Sequence, residues 1–229
     1  MNEGLYRTKP AAQRFVRPLV DACVSRGVRA DVVTLAAVPV AALGGVCLAL
    51  SGAVPVLLLV VPVLAAVRLF LNLIDGQVAR RTGTSHPWGE VLNELGDRVA
   101  DVLFIGGLAF VAAVGPLLAL GAVTAAVLAS YAGVVARAVG ASRQYGGVMS
   151  KPGRMTVLAV TAPLALVLAD DWPLVAGAWL ILAGSLLTLA QRLRSTRHRL
   201  DVTHATEIDA RDGEARRTEG ASAEGGERR

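Results

Sequence analysis

Apolar residues along this chain gather in six long runs, at about 32–50, 54–80, 90–114, 116–138, 155–169 and 172–190, separated by brief polar breaks. A helix needs roughly 20 apolar residues to cross a bilayer, and most of these runs reach or pass that length, the fifth being short. The pattern predicts an all-α polytopic membrane protein with six transmembrane helices. Ala, Val, Leu and Gly are abundant in the runs, and small residues let membrane helices pack closely into a compact bundle. Ahead of the first run, Arg17 to Arg29 predicts a short juxtamembrane helix, with Pro18 near its start and Gly27 ending it. Such a helix lies in the interface with Leu19, Val20 and Cys23 turned inward. From about Asp201 the chain turns polar and rich in Gly, Glu and Arg, too little apolar surface to fold upon. The chain thus reads as a cytoplasmic N-terminal segment with an interfacial helix (1–30), a six-helix membrane domain (31–199) and a disordered cytoplasmic tail (200–229). The first 30 residues are basic and interrupted, so no signal peptide is read there.

Composition agrees with a membrane protein. Of 229 residues, 54% are hydrophobic, and the mean hydropathy is +0.54, more than a soluble domain of this size needs for its core. Basic residues alternate by connection. Arg7, Lys9, Arg14, Arg17, Arg26 and Arg29 precede the first run, Arg80 and Arg81 follow the second, and Arg137, Arg143, Lys151 and Arg154 follow the fourth. The connections at Ser51-Gly52, Gly115-Pro116 and Asp170-Asp171 hold no Lys or Arg. By the positive-inside rule both termini are cytoplasmic, in the plasma membrane. The net charge of +5 belongs to this arrangement and does not argue for nucleic acid. Cys23 and Cys47 are too few for a disulfide framework, and His86, His198 and His204 form no ligand spacing.

Against this apolar background, Asn72, Asp75, Glu90, Asn93, Asp97 and Asp101 stand out. Ionisable groups at membrane depth are costly and mark functional sites. Helical spacing puts Asn72, Asp75, Gly76 and Ala79 on one face, and Glu90, Asn93, Glu94, Asp97 and Asp101 within one stripe of the next helix. Two such faces, antiparallel across a short connection, converge oxygens on a common point. Mg²⁺ commonly sits between a few carboxylates and the phosphates of a substrate. Gly76 and Ala79 leave the face without bulk, so a ligand can approach the backbone.

The spacing Asn72-x2-Asp75-Gly76-x2-Ala79-Arg80-x8-Gly89-x3-Asn93-x3-Asp97 resembles the signature of the CDP-alcohol phosphotransferases. That signature has Asp where Asn72 and Asn93 stand here. The resemblance implies metal ligation by Asn72, Asp75, Asn93 and Asp97, with Mg²⁺ or Mn²⁺ as cofactor, and a general-base role for Asp97. It implies nucleotide binding around Gly76, Ala79, Arg80 and Gly89, and places Thr34 near a nucleotide contact. Arg80 pairs with phosphate or marks the membrane boundary. The implied donor is CDP-diacylglycerol, the second substrate an alcohol, the products a phospholipid and CMP, and the assembly a homodimer. Two carboxylates replaced by amides put a two-metal arrangement in doubt, and Glu90, Glu94 and Asp101 are the candidates to compensate.

Arg137, Arg143, Lys151 and Arg154 form a second candidate group, able to clamp the phosphate of an acceptor, or else to be the ordinary basic residues of a cytoplasmic loop. Arg68 lies one turn before Asn72, inside the second run. Running the second and third helices antiparallel brings it level with Asp101, and an ion pair beneath the acid site is expected. Two other function classes remain open: a family member that binds nucleotide or lipid without turnover, and a small transporter, although no inverted repeat is evident.

Overall fold

The structure, a computed structural model, describes residues 9–84, 86–141 and 146–226, with side-chain surroundings described between 16 and 202. All regular structure among them is helical: α1 (Lys9–Ser25), α2 (Ala30–Ala49), α3 (Val60–Thr82), α4 (Pro87–Gly106), α5 (Gly115–Ala138), α6 (Lys151–Leu168) and α7 (Trp172–Gly226). Short 3-10 segments, Pro55–Leu59 and Gly107–Phe110, lead into α3 and follow α4.

Five of these helices are long and apolar enough to cross a membrane: α2, α3 with its leading turn, α5, α6 and the part of α7 up to Val202. The count falls one short of the six expected. The third run, 90–114, yields α4, which has 20 residues but carries Glu90, Glu94, Asp97, Arg98 and Asp101. Bulky apolar side chains crowd the outer faces, with Val63, Leu117, Leu120, Val160, Val167 and Trp179 each more than half exposed. A surface of that kind suits lipid.

Helix α2 packs against both α3 and α4, α3 against α6, and α5 against α7. Phe104, Ile105, Leu108, Met155, Leu158 and Ile181 are buried at the centre. The α2–α4 crossing depends on glycine: a Cβ on Gly45 would run into the Leu103 carbonyl, and one on Gly107 into the Gly45 backbone. Close backbone approach of this sort holds membrane helices together by packing alone.

Helices α3 and α4 form an antiparallel hairpin because both ends are specified locally. Gly83 takes the left-handed conformation, φ +65°, and its N–H bonds to the Ala79 carbonyl, ending α3. His86 caps α4, its Nδ1 accepting from the Gly89 N–H at 3.0 Å, with Pro87 in the first turn.

At the amino end, α1 begins by Lys9 and ends two residues before Gly27, whose φ is +67°. Pro18 therefore lies within the helix and not near its start. Val16 and Val20 are buried against Val33, Ile74 and Val78, with Cys23 partly buried beside them. Leu19, expected to face inward, is 53% exposed, since it falls outside the stripe set by Val16 and Val20. At the other end α7 continues as helix through Gly226, where the polar composition predicts no fold. Ala, Glu and Arg, frequent there, have high intrinsic helix propensity.

Candidate active site

The acid-bearing segment occupies the α3–α4 hairpin, closed on one side by α2 and on the other by the first turn of α6. Asp75 comes from α3 and is buried, 6% exposed. Its Oδ2 accepts from the Thr34 hydroxyl of α2 at 2.9 Å and its Oδ1 from the Gly76 N–H at 2.5 Å. Beside it opens a cleft of about 180 Å³, lined by Thr34, Asp75, Gly76, Ala79, Arg80, Gly89 and Asn93, with Asp31, His86 and Glu90 among the other walls. All five residues for which the family resemblance implies a nucleotide contact, Thr34, Gly76, Ala79, Arg80 and Gly89, line this one cleft. Gly76 matters here for its missing side chain. A Cβ at that position would stand 3.3 Å from the Arg80 Nη1, so the guanidinium lies folded over the glycine.

One helical turn away, Asn72 and Asp97 face each other across the hairpin. The Asn72 Nδ2 donates to the Asp97 Oδ1 at 3.1 Å. Lys151, the first residue of α6, brings its ammonium group between them. It forms an ion pair with the Asp97 Oδ2 and donates to the Asn72 Oδ1 at 3.1 Å.

Next comes a buried ionic layer. Arg68 and Asp101, both 0% exposed, pair at 2.7 Å, as the antiparallel depth argument expects. The Arg68 Nη2 also donates to the Asp97 carbonyl at 3.2 Å. Arg154, from the first turn of α6, takes the other Asp101 oxygen at 2.7 Å and reaches the Ser130 hydroxyl at 3.3 Å. Arg98 bonds to Glu94 at 2.8 Å and stands 3.8 Å from Asp101. Asp101 is therefore anionic anchorage for guanidinium groups from α3 and α6.

The group expected to clamp an acceptor phosphate is divided. Arg154 is buried on Asp101 and Lys151 sits on Asp97. Arg137 pairs at 2.7 Å with Glu90 where both side chains are more than half exposed. Arg143 lies outside the described residues. Of the compensating acids, Glu90 lines the cleft while Glu94 is held by Arg98 and Asp101 by the two buried arginines. Asp31 and His86, unforeseen from the motif, stand at the cleft mouth with His86 Nε2 3.5 Å from the Asp31 carboxylate.

On the cleft side the donor set suits a hard cation. Asp75 and the Asn93 amide line the open space, and Mg²⁺ takes few protein ligands, filling its shell with water and substrate phosphate. Among the described residues no three His, Cys, Asp or Glu side chains converge. On the Asn72–Asp97 side the oxygens are already engaged by Lys151.

No family model matches the chain. Its sequence is similar to the inner membrane protein YnbA of Escherichia coli, 29% identical over 168 residues, 73% of this chain and 83% of that protein. It is 30% identical over 172 residues to a phosphatidylinositol phosphate synthase of Mycolicibacterium smegmatis, covering 72% of this chain and 75% of the relative. The fold is similar to the Mycobacterium tuberculosis phosphatidylinositol phosphate synthase in its crystal structure with manganese and citrate. There the TM-score is 0.66 at 24% identity, over 78% of this chain and 87% of that one. The same enzyme with CDP-DAG bound gives a TM-score of 0.61 at 25% identity, over 80% and 94% of the two chains.

Proposed function

We propose a reaction for this chain, which belongs to the CDP-alcohol phosphatidyltransferase family: transfer of a phosphatidyl group from CDP-diacylglycerol to an alcohol, with release of CMP. The observation that carries it is the cleft itself, where Thr34, Asp75, Gly76, Ala79, Arg80, Gly89 and Asn93 converge from three helices. A cytidine diphosphate needs a cavity that admits it against backbone and offers a cation to its phosphates. Gly76 and Ala79 supply the first, and Arg80, with a bidentate fork matched to phosphate, the second.

In the reaction the acceptor oxygen attacks the phosphatidyl phosphorus, a new phosphate ester bond forms, and the phosphoanhydride bond to CMP breaks. The hydroxyl proton passes to a carboxylate, and Asp97 is the proposed acceptor, a general base within reach of the hydrogen-bonded network. Asp75, with the Asn93 amide oxygen, would hold Mg²⁺ or Mn²⁺, which when bound neutralises charge on the diphosphate. Thr34 and the Gly76 N–H fix the Asp75 carboxylate by two hydrogen bonds, and Lys151 fixes that of Asp97.

We read α4 as a sixth span, its charged stripe turned to α3 and α6 and its Val99, Val102 and Leu103 turned outward. The distribution of Lys and Arg supports cytoplasmic termini, and the cleft then opens on the side that supplies nucleotides. The protein acts in the cell membrane, as a homodimer.

Incubating purified protein in lipid nanodiscs with labelled CDP-diacylglycerol and a panel of free and phosphorylated polyols tests the reaction. CMP release that depends on one of the alcohols is expected. The hold of Lys151 on Asp97 favours a second reading, a binding protein without turnover; saturable CDP-lipid binding with no CMP release under any alcohol would establish it instead.

A further inference from the structure

The Asn72–Asp97 half of the acid motif contains a cation that belongs to the chain. Lys151 ion-pairs with the Asp97 Oδ2 and donates to the Asn72 Oδ1 at 3.1 Å, while Asn72 closes the triangle by donating to the Asp97 Oδ1 at 3.1 Å. The ammonium is thus surrounded by the oxygens of two motif positions. The local helix does not favour a lysine there. Lys151 opens α6, and the positive end of a helix dipole repels a cation in the first turn. What holds it is the partner across the bundle, and its side chain is only 20% exposed.

Charge points the same way. Asp75 and Asp97 carry −2 between them, and Lys151 brings the sum to −1. Lys151 therefore lowers the negative charge that is left for divalent ions to balance. Amides in place of carboxylates at positions 72 and 93, together with Lys151, leave a smaller demand for external cations, met in part by a covalently attached one. Because an ammonium group is a compact point charge on a flexible stem, it can fill a space of ionic size.

We propose that Lys151 is a resident cation that takes the position of a divalent ion between Asn72 and Asp97, leaving the chain a single metal position, at Asp75. This inference rests on the family reading for the identity of the site. It assigns to Lys151 a role in the acid cluster and removes it from the recognition of acceptor phosphate.

Counting bound Mn²⁺ by electron paramagnetic resonance and equilibrium dialysis, with CDP-diacylglycerol present and turnover absent, tests it. The full chain in nanodiscs should bind one ion per protomer. The N72D/N93D variant, which restores the carboxylates but keeps Lys151, should also bind one. N72D/N93D/K151M should bind two, and N72D/N93D/K151R, which keeps the cation, should return to one. Two ions on the wild-type chain, or two on N72D/N93D with Lys151 in place, would overturn the proposal, as would a count of one on N72D/N93D/K151M. Failure of the transfer reaction has a separate signature, absence of CMP release from wild type with every alcohol, and leaves the ion count to be read on its own.

Discussion

Arg68 of α3 and Asp101 of α4 meet at 2.7 Å with neither side chain exposed, and the second oxygen of the same carboxylate meets Arg154 of α6 at the same distance. The carboxylate is therefore shared. Asp101→Ala strands two buried guanidinium groups, whereas Arg68→Ala leaves Asp101 its Arg154 partner. Breaking a buried pair from one side costs about 3–5 kcal/mol, and Asp101→Ala is expected at or above the top of that span with Arg68→Ala below it. The double variant should cost clearly less than the sum. Thermal denaturation in detergent of the two single variants and the double gives the coupling, and simple additivity would contradict the shared arrangement.

The two motif carboxylates should fail differently. Asp97→Asn keeps shape and removes a proton acceptor, so turnover should fall by about 10²- to 10⁴-fold with CDP-lipid binding retained. Asp75→Asn lies on the cleft, so binding and turnover should fall together. Single-turnover CMP release alongside CDP-lipid titration separates the cases; near-normal release from Asp97→Asn would assign the base elsewhere.

Gly76→Ala probes the cleft without touching a charge. The added methyl group would stand 3.3 Å from Arg80 Nη1, so the guanidinium must give by a few tenths of an ångström and the floor of the cleft is raised. Disturbing one charged contact should weaken CDP-lipid binding by up to roughly tenfold, with little change in melting temperature because the cleft is open there. Unchanged affinity would mean that Arg80 does not touch the ligand.

At the α2–α4 crossing, Gly45→Ala should destabilise by about 1–3 kcal/mol, the usual cost of overpacking, since its Cβ would meet the Leu103 carbonyl. Backbone cannot rotate away as a side chain can. Gly52→Ala, where nothing lies within 4 Å, is the control and should be neutral in the same melt.

Helical class and most spans are legible in the sequence because hydropathy alone dictates them. The α3–α4 hairpin is legible because the acids share faces and the break between them is short. Even the Arg68–Asp101 pair follows from depth, since charges inside apolar runs must find each other. Other features depend on docking that local pattern does not encode. Arg154 and Lys151 read as a clamp for an acceptor phosphate or as ordinary basic loop residues, and only the approach of the α6 amino end to the hairpin turns them into partners of Asp101 and Asp97. One signal was available: two cations in the first turn of a helix, against its dipole, with no acid beside them. The exposure of Leu19 is not encoded locally, because the buried stripe of α1 is set by the docking of Val16 and Val20 on α2 and α3.

The grip of Arg68 and Arg154 on Asp101 also sets a vertical scale. An α-helix advances about 5.4 Å per turn, so sliding α4 by one turn would pull its carboxylate beyond hydrogen-bond range of both guanidinium groups at once. Arg68 and Arg154 come from helices on different sides, and one cannot follow the slip without deserting the other. Asp101 behaves as a depth stop. It keeps Asp97 and Asn93, one and two turns above it, level with Asn72 and Asp75 as the surrounding bilayer thickens, thins or shifts, so that the site is referenced to the protein and not to the lipid.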